Sequence, residues 1–388
     1  MKPPPIERSS WLTLAVTSVV GFMVSLEITV ISFALPEIRD AFPDASESTL
    51  SWIITAYNIG VASLLLVAGW GADRFGRKKV FLIGLTIFAI GSVGSGLAQS
   101  STMLIGARLV QAIGGAMQFP AGLALLLPAF PVERRQMAIG IWGAMGGLAA
   151  ALGPPIGGLL VAAFGWRSVF LVNVPVALLT VVLGRRWLAE STGDVPDRVD
   201  LVSIPVASVG VGAIVLAIVQ GNIWGWRSAS SLVTFAVGAV LIAIFIFRSR
   251  THRYPLFDLG LFRIRSFSLG NLGTVFFACA FFSYFVPLPS FVQETWGWSA
   301  TKAGLAIMPG PALATVLSPM SGRLADRIGP GLILATGGLA GVLAMAAHLM
   351  FTTEEPQLWL GLVLPGLLVG IAAGCSFAMS VAAAMRDV

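Results

Sequence analysis

Gly69-Trp70-Gly71-Ala72-Asp73-Arg74-Phe75-Gly76-Arg77-Lys78-Lys79 is echoed late in the chain by Gly322-Arg323-Leu324-Ala325-Asp326-Arg327-Ile328-Gly329. Each copy follows an apolar run long enough to cross a bilayer. Each packs charge and glycine into the short turn before the next run. A charged hairpin that recurs between membrane helices is the mark of a carrier assembled from two related halves. The reading is therefore an all-α polytopic membrane protein.

Composition agrees. The 388 residues are 56% hydrophobic and 11% charged, with a mean hydropathy of +0.89. A soluble domain of this length carries far more charge, so the bilayer is the solvent. The isoelectric point near 9.9 raises nucleic acid as a partner. The Lys and Arg lie in short loops rather than on one basic face, which argues for membrane topology and against nucleic acid. Cys279 and Cys375 sit in apolar runs without metal or redox spacing and read as small core residues. His252 and His348 are isolated, which argues against a metal site. The first apolar run, from Trp11, has a longer core than a signal peptide and no clear cleavage site.

A span needs roughly 20 apolar residues. Twelve candidates follow: 11–36, 49–70, 80–98, 102–130, 136–163, 168–188, 201–221, 229–247, 267–291, 301–321, 331–351 and 357–384. With the N-terminus in the cytoplasm, 19 of the 24 cations fall in inner loops and 4 in outer ones. That asymmetry fixes the expected orientation. Three sections result: residues 1–188, an N-terminal six-helix bundle; 189–265, a cytoplasmic loop plus two linking helices; and 266–388, a partial C-terminal bundle of four helices. Aligning Asp73 with Asp326 makes spans 9 to 12 the counterparts of spans 1 to 4.

Two charged residues sit well inside spans, Glu27 and Arg108. An ion in lipid is costly and usually faces a cavity or a partner. Glu27 lies roughly 13 Å from Pro36 and Arg108 roughly 10 Å from Ser101, at about 1.5 Å per residue. Similar depth on different helices suits a carboxylate that takes a proton from one side and releases it on the other. A fixed ion pair that only orders the bundle is the simpler alternative. Span 5 carries Gly153-Pro154-Pro155-Ile156-Gly157-Gly158 within a longer run of small residues. Small residues admit a neighbouring helix, and the prolines remove two N–H donors and bend the helix. In the hairpin, Gly69, Gly71 and Gly76 permit tight packing. Asp73 can pair with Arg77 or face a helix N-terminus.

These motifs resemble the major facilitator superfamily. The Asp73 hairpin is similar to the family's loop motif between spans 2 and 3. Arg108-Leu109-Val110-Gln111-Ala112-Ile113-Gly114-Gly115 resembles the span 4 motif, whose arginine is implicated in proton coupling. Gly153 to Gly158 resemble the span 5 motif of antiporters. Phe22-Met23-Val24-Ser25-Leu26-Glu27-Ile28-Thr29-Val30, Trp52-Ile53-Ile54-Thr55-Ala56-Tyr57 and Trp166 to Pro175 resemble the fourteen-helix drug:proton antiporters. The resemblance covers essentially the whole chain. Members usually have aspartate where Glu27 stands; glutamate keeps the carboxylate and adds a methylene. Members also have fourteen spans, arranged six, two and six, so the chain resembles one without spans 13 and 14.

The resemblance implies a secondary active transporter in the cell membrane, N-terminus cytoplasmic, exporting small amphipathic or cationic compounds against inward proton flow. Glu27 and Arg108 would couple the proton. Phe22, Tyr57, Asn58, Gln111, Gln118 and Phe119 could line the substrate cavity or simply join helices. Gly69, Asp73, Arg74, Gly76 and Arg77, with Asp326 and Arg327, would form the gating motif; Gly153, Pro154, Pro155, Gly157 and Gly158 the antiporter motif. No cofactor is expected; the proton gradient supplies the energy, since no Gly-x4-Gly-Lys-Ser/Thr loop for a nucleotide is present. The expected partners are a small-molecule substrate and the bilayer, with the protein a monomer. A uniporter or importer, and a non-transporting receptor or fragment, are the alternatives. An enzyme is not expected, because no nucleophile–base arrangement lies inside the spans.

Overall fold

The computed structural model describes residues 6–193, 200–285 and 287–384, and among them it contains helices and no strands. Eleven helices among the described residues are long and apolar enough to cross a membrane. The remaining expected span is a helix of 30 residues, Arg135–Phe164, some of whose side chains lie outside the described set. Lys2, Arg198 and Arg386, three of the 19 cations counted in inner loops, also lie outside it.

The membrane helices in chain order are α1 (Arg8–Ala41), α2 (Glu47–Phe75), α3 (Arg77–Gly96), α4 (Ser101–Leu126) and α5 (Arg135–Phe164). Span 6 is split into α6 (Ser168–Leu171) and α7 (Asn173–Trp187). The linking helices are α8 (Ser203–Trp224) and α9 (Ala229–Thr251). Then come α10 (Arg265–Phe285), a short α11 (Leu288–Glu294), α12 (Ala300–Ile307), α13 (Pro309–Ile328), α14 (Pro330–Phe351) and α15 (Leu364–Ala384), the last entered through a π-helical turn at Leu358–Val363.

Two expectations need correction. The first helix does not end at Pro36: it runs 34 residues to Ala41 with Pro36 inside it. At 1.5 Å per residue that is about 51 Å, more than the hydrocarbon core requires. Cys279 is exposed and Cys375 only partly buried, so Cys279 is not a core residue. Its helix, α10, faces much of its apolar surface outward, as a lipid-facing helix does.

By packing, the chain falls into two compact units. One comprises α1 as far as Ala34, then Leu126–Ala163, then Leu261 onward; the other comprises Leu35–Leu125 and Phe164–Gly260. In the first unit α15 packs on α10, α13 and α14. Gly310 on α13 sits directly against α15: a side chain on Gly310 would collide with the backbone of Gly366, and one on Gly370 with the backbone of Gly310. Its apolar core includes Tyr284, Leu288, Val292, Trp296, Ile307 and Leu362. In the second unit the linking helix α8 lies against both α2 and α9. A Cβ at Gly212 would stand 2.7 Å from the Ser63 hydroxyl, so glycine sets the approach of α8 to α2.

Candidate functional site

Glu27 lies on α1 in the first unit and is 4% exposed. Its helix is seated against α5 along a row of small contacts. Gly21 faces Trp142, Ser25 faces Gly146, and Thr29 faces Gly153. The Trp142 indole donates to the Thr17 carbonyl at 3.3 Å. A Cβ at Gly153 would overlap the Thr29 side chain, two residues from Glu27. The glycine that opens the antiporter-type motif is thus the one that lets α5 touch α1 beside the buried acid. Gly157 is buried on the same helix, Pro155 is half-buried, and a Cβ at Gly158 would meet nothing within 4 Å among the described residues; the Pro154 side chain lies outside them.

A second face of α5 carries glycines toward α13. A Cβ at Gly140 would meet the Ser318 carbonyl at 2.8 Å, and one at Gly147 would meet the Thr315 hydroxyl at 3.2 Å. From the other side, a Cβ at Gly322 would lie 2.8 Å from the Gln136 carbonyl. The Ser318 hydroxyl donates to the Gly140 carbonyl at 2.8 Å. Backbone approach of this kind is how membrane helices associate where apolar surface gives no preference over lipid. Helix α5 therefore joins the acid-bearing α1 to the helix that carries the second charged hairpin.

In the second unit Arg108, on α4, is 1% exposed. Its Nε donates to the Ile53 carbonyl at 3.0 Å and its Nη1 to Gln111 Oε1 at 2.7 Å. Gln111 in turn donates to the Ser92 hydroxyl at 3.0 Å. The guanidinium lies over the Tyr57 ring at 4.3 Å and, farther off, over the Phe170 ring at 5.6 Å. Arginine suits this place because its planar fork reaches several acceptors while its face stacks on rings. Tyr57 and Gln111 are thus committed to Arg108. Gln118 is fully buried, and neither amide atom has a partner among the described residues. Phe119 and Phe22 are half-buried, and Asn58 is exposed.

The two hairpins are built alike. Helix α2 ends at Gly76 with φ 108°, and α13 ends at Gly329 with φ 84°; each opens the next helix. The Gly76 amide donates to the Ala72 carbonyl and the Gly329 amide to the Ala325 carbonyl. In each the aspartate stands three positions before the glycine and an arginine follows it. Positive φ costs a side chain about 1–2 kcal/mol, which is why both turns need glycine. The copies differ one step later. Arg77 closes on Asp73, with Nε and Nη2 both 2.8 Å from Oδ1, and its Nη1 donates to the Ala124 carbonyl at 3.2 Å. Proline stands at the equivalent place after Gly329. Asp326 instead feels Arg134, and its Oδ2 is buried without a hydrogen-bond partner among the described residues. Gly69 and Arg74 are half-buried, whereas Arg327 is exposed. Gly69 rests on Pro120 of α4.

Comparison with known proteins follows this architecture closely. The family model of the Major Facilitator Superfamily matches residues 17–205 and again residues 194–388. The chain belongs to the major facilitator superfamily. It is accordingly a multi-pass membrane transporter and not an enzyme. It is 35% identical over 365 residues to the multidrug resistance protein Stp of Mycobacterium tuberculosis (strain CDC 1551 / Oshkosh), covering 93% of this chain and 67% of the relative. It is 33% identical to the tetracenomycin C resistance and export protein of Streptomyces glaucescens, covering 93% and 68%. Against the multidrug export protein EmrB of Haemophilus influenzae it is 30% identical, covering 97% and 74%. The chain thus spans about two-thirds to three-quarters of the length of these relatives. Among solved structures, the human organic anion transporter MFSD10 superposes with a TM-score of 0.67 at 16% identity, covering 98% of this chain and 87% of that one. The proton:xylose symporter XylE gives 0.64 at 17%, covering 98% and 86%. At such identity these two show a shared fold.

The structure also brings in residues that the sequence reading passed over. Ser92 and Phe170 complete the surroundings of Arg108. Asp200 is 3% exposed and takes a bidentate bond from Arg248, at 2.8 and 2.6 Å, together with the Ser203 hydroxyl at 2.6 Å. The Arg248 guanidinium holds the Asp200 carboxyl far below the usual carboxylate range. A cavity of about 290 Å³ in the first unit lies beside Tyr284, Phe291, Met345 and His348, and none of the sequence candidates lines it.

Proposed function

We propose that this transporter is a secondary carrier that exports small amphipathic or cationic organic compounds in exchange for protons. The observation that carries the reading is Glu27. It is a carboxylate sealed inside a membrane helix, beside the point where the antiporter-type glycine of α5 meets that helix. An intramembrane acid is expensive and is retained for function. Relatives named for multidrug resistance and drug export support the direction and the substrate class.

In this reading Glu27 carries the proton and also offers a negative charge to a cationic substrate. Arg108, held by Ile53, Gln111, Tyr57 and Phe170, supplies a fixed positive charge within the second unit. Phe22, Asn58, Gln118 and Phe119 remain the candidates for substrate contact. The Asp73 and Asp326 hairpins gate the cytoplasmic side, with the N-terminus in the cytoplasm. The protein acts as a monomer, and the proton gradient rather than a nucleotide drives it.

The test is efflux of ethidium, a planar aromatic cation, from proteoliposomes holding the purified protein. An imposed pH gradient should drive ethidium and protons through the carrier in opposite directions, and a protonophore, by collapsing the gradient, should abolish the ethidium movement. Ethidium movement that ignores the gradient would contradict the exchange.

A further inference from the structure

The turn between α2 and α3 is clasped by the segment that leaves α7, and one carboxylate does most of the holding. Glu190 accepts from the backbone amides of Lys78 at 2.9 Å and Lys79 at 3.1 Å, and from that of Ser191 at 3.0 Å. The first turn of α3 has amides with no partner inside the helix, and its dipole favours an anion there. The clasp continues on both sides. The Arg77 amide donates to the Ser191 carbonyl and the Gly193 amide to the Asp73 carbonyl, each at 2.9 Å. The Lys78 ammonium donates to the carbonyls of Arg185 and Leu188, at 2.9 and 2.7 Å, at the end of α7.

The fit is close enough to dictate residue types. A Cβ on Gly76 would stand 2.9 Å from the Glu190 carboxyl carbon, and one on Gly193 would stand 2.7 Å from Asp73 Cβ. Positive φ at Gly76 explains one glycine; the clasp explains why the site stays bare, and it accounts for Gly193, whose φ is not positive. Asp73, the residue that pairs with Arg77, is thus held through its own carbonyl by a segment more than a hundred residues later in the chain.

We infer that Glu190 is a positioning residue for the Asp73 hairpin: it fixes the start of α3 to the end of α7, so that hairpin and α7 move as one block. The inference rests on the carrier reading for its consequence in transport, and on the contacts alone for its structural part. At the second hairpin Pro330 stands where Arg77 does and has no amide to donate as Arg77 donates to the Ser191 carbonyl, so that strand of the clasp cannot form there.

Two measurements on the full chain in proteoliposomes separate these parts. Hydrogen–deuterium exchange at the Lys78 and Lys79 amides should rise about tenfold in Glu190→Ala, as each loses a charge-assisted bond. Exchange along α4 should not change. Ethidium efflux per folded carrier should lose about tenfold in maximal rate with KM unchanged, because the gate and not the substrate site is loosened. Glu190→Gln, the same shape with a single neutral acceptor, should fall between the two and guards against a variant that fails to fold. Wild-type exchange at Lys78 and Lys79 in both variants would overturn the clasp. Faster exchange with an unchanged maximal rate would overturn the positioning role. Failure of the carrier reading has a different signature: no gradient-driven ethidium efflux from the wild type, whatever the exchange shows.

Discussion

Arg108 shows what a sealed guanidinium demands. Leaving one buried donor or acceptor unmet costs about 1–3 kcal/mol, and this side chain meets that demand with Ile53, Gln111 and two aromatic faces. Arg108→Lys keeps the charge but loses the fork. It should leave Gln111 Oε1 without its donor and lower stability by about 1–3 kcal/mol. Thermal unfolding in detergent checks this; an unchanged midpoint would show that the fork is not needed. The position itself was legible, because a lone cation in an apolar run stands out. Its partners were not, since Ile53 offers only a backbone carbonyl and Ser92 is an ordinary helix residue. The same holds at Asp73. Pairing with Arg77 was one of two possibilities in the sequence, four residues apart on facing turns, and the structure chooses it.

Helix α5 is the element on which several observations meet. Its glycines serve two neighbours, Gly146 and Gly153 toward α1, Gly140 and Gly147 toward α13. Gly153→Ala places a methyl on Thr29 and should cost about 1–3 kcal/mol by overpacking. Thr29→Gly in the same chain should restore most of the loss, and a double-mutant cycle should give a coupling above about 1 kcal/mol. Additive effects would mean that the two helices do not meet there. The loop before α8 makes a pH prediction. Arg248 holds Asp200 ionised far below its unfolded value of about 3.9, so its contribution is present above that value and is lost as pH falls further toward the folded value. Asp200→Asn should lower stability at neutral pH by about 1–2 kcal/mol, a figure reduced because Arg248 is partly solvated. The variant should also lose part of the wild type's acid sensitivity below about pH 4. A variant as stable as the wild type at pH 7 would show that the pair contributes nothing. Helix positions were readable because twenty apolar residues in a row admit few alternatives. The clasp was not: Glu190 was visible only as part of a charged loop, and its partners lie 112 and 111 residues away.

At the scale of the molecule, the repeat of the charged hairpin was the most informative reading. It survives in detail, with the same aspartate-to-glycine spacing and the same positive φ at both turns. The family model likewise matches twice along the chain, at residues 17–205 and 194–388. Packing does not respect chain order: α1 and α5 group with the C-terminal helices, while α2 to α4 group with α6 to α9. Sequence periodicity cannot foresee this grouping, because it depends on which small residues face which neighbour. Glu27 remains the residue on which the functional account turns, since without an ionisable group inside the membrane nothing ties substrate movement to the proton gradient. Glu27→Gln keeps the size of the side chain and cannot ionise. The decisive measurement is the coupled movement of ethidium and protons in proteoliposomes carrying either form under the same imposed pH gradient. The account predicts gradient-driven exchange from the wild type and none from folded Glu27→Gln. Wild-type exchange from Glu27→Gln would contradict it.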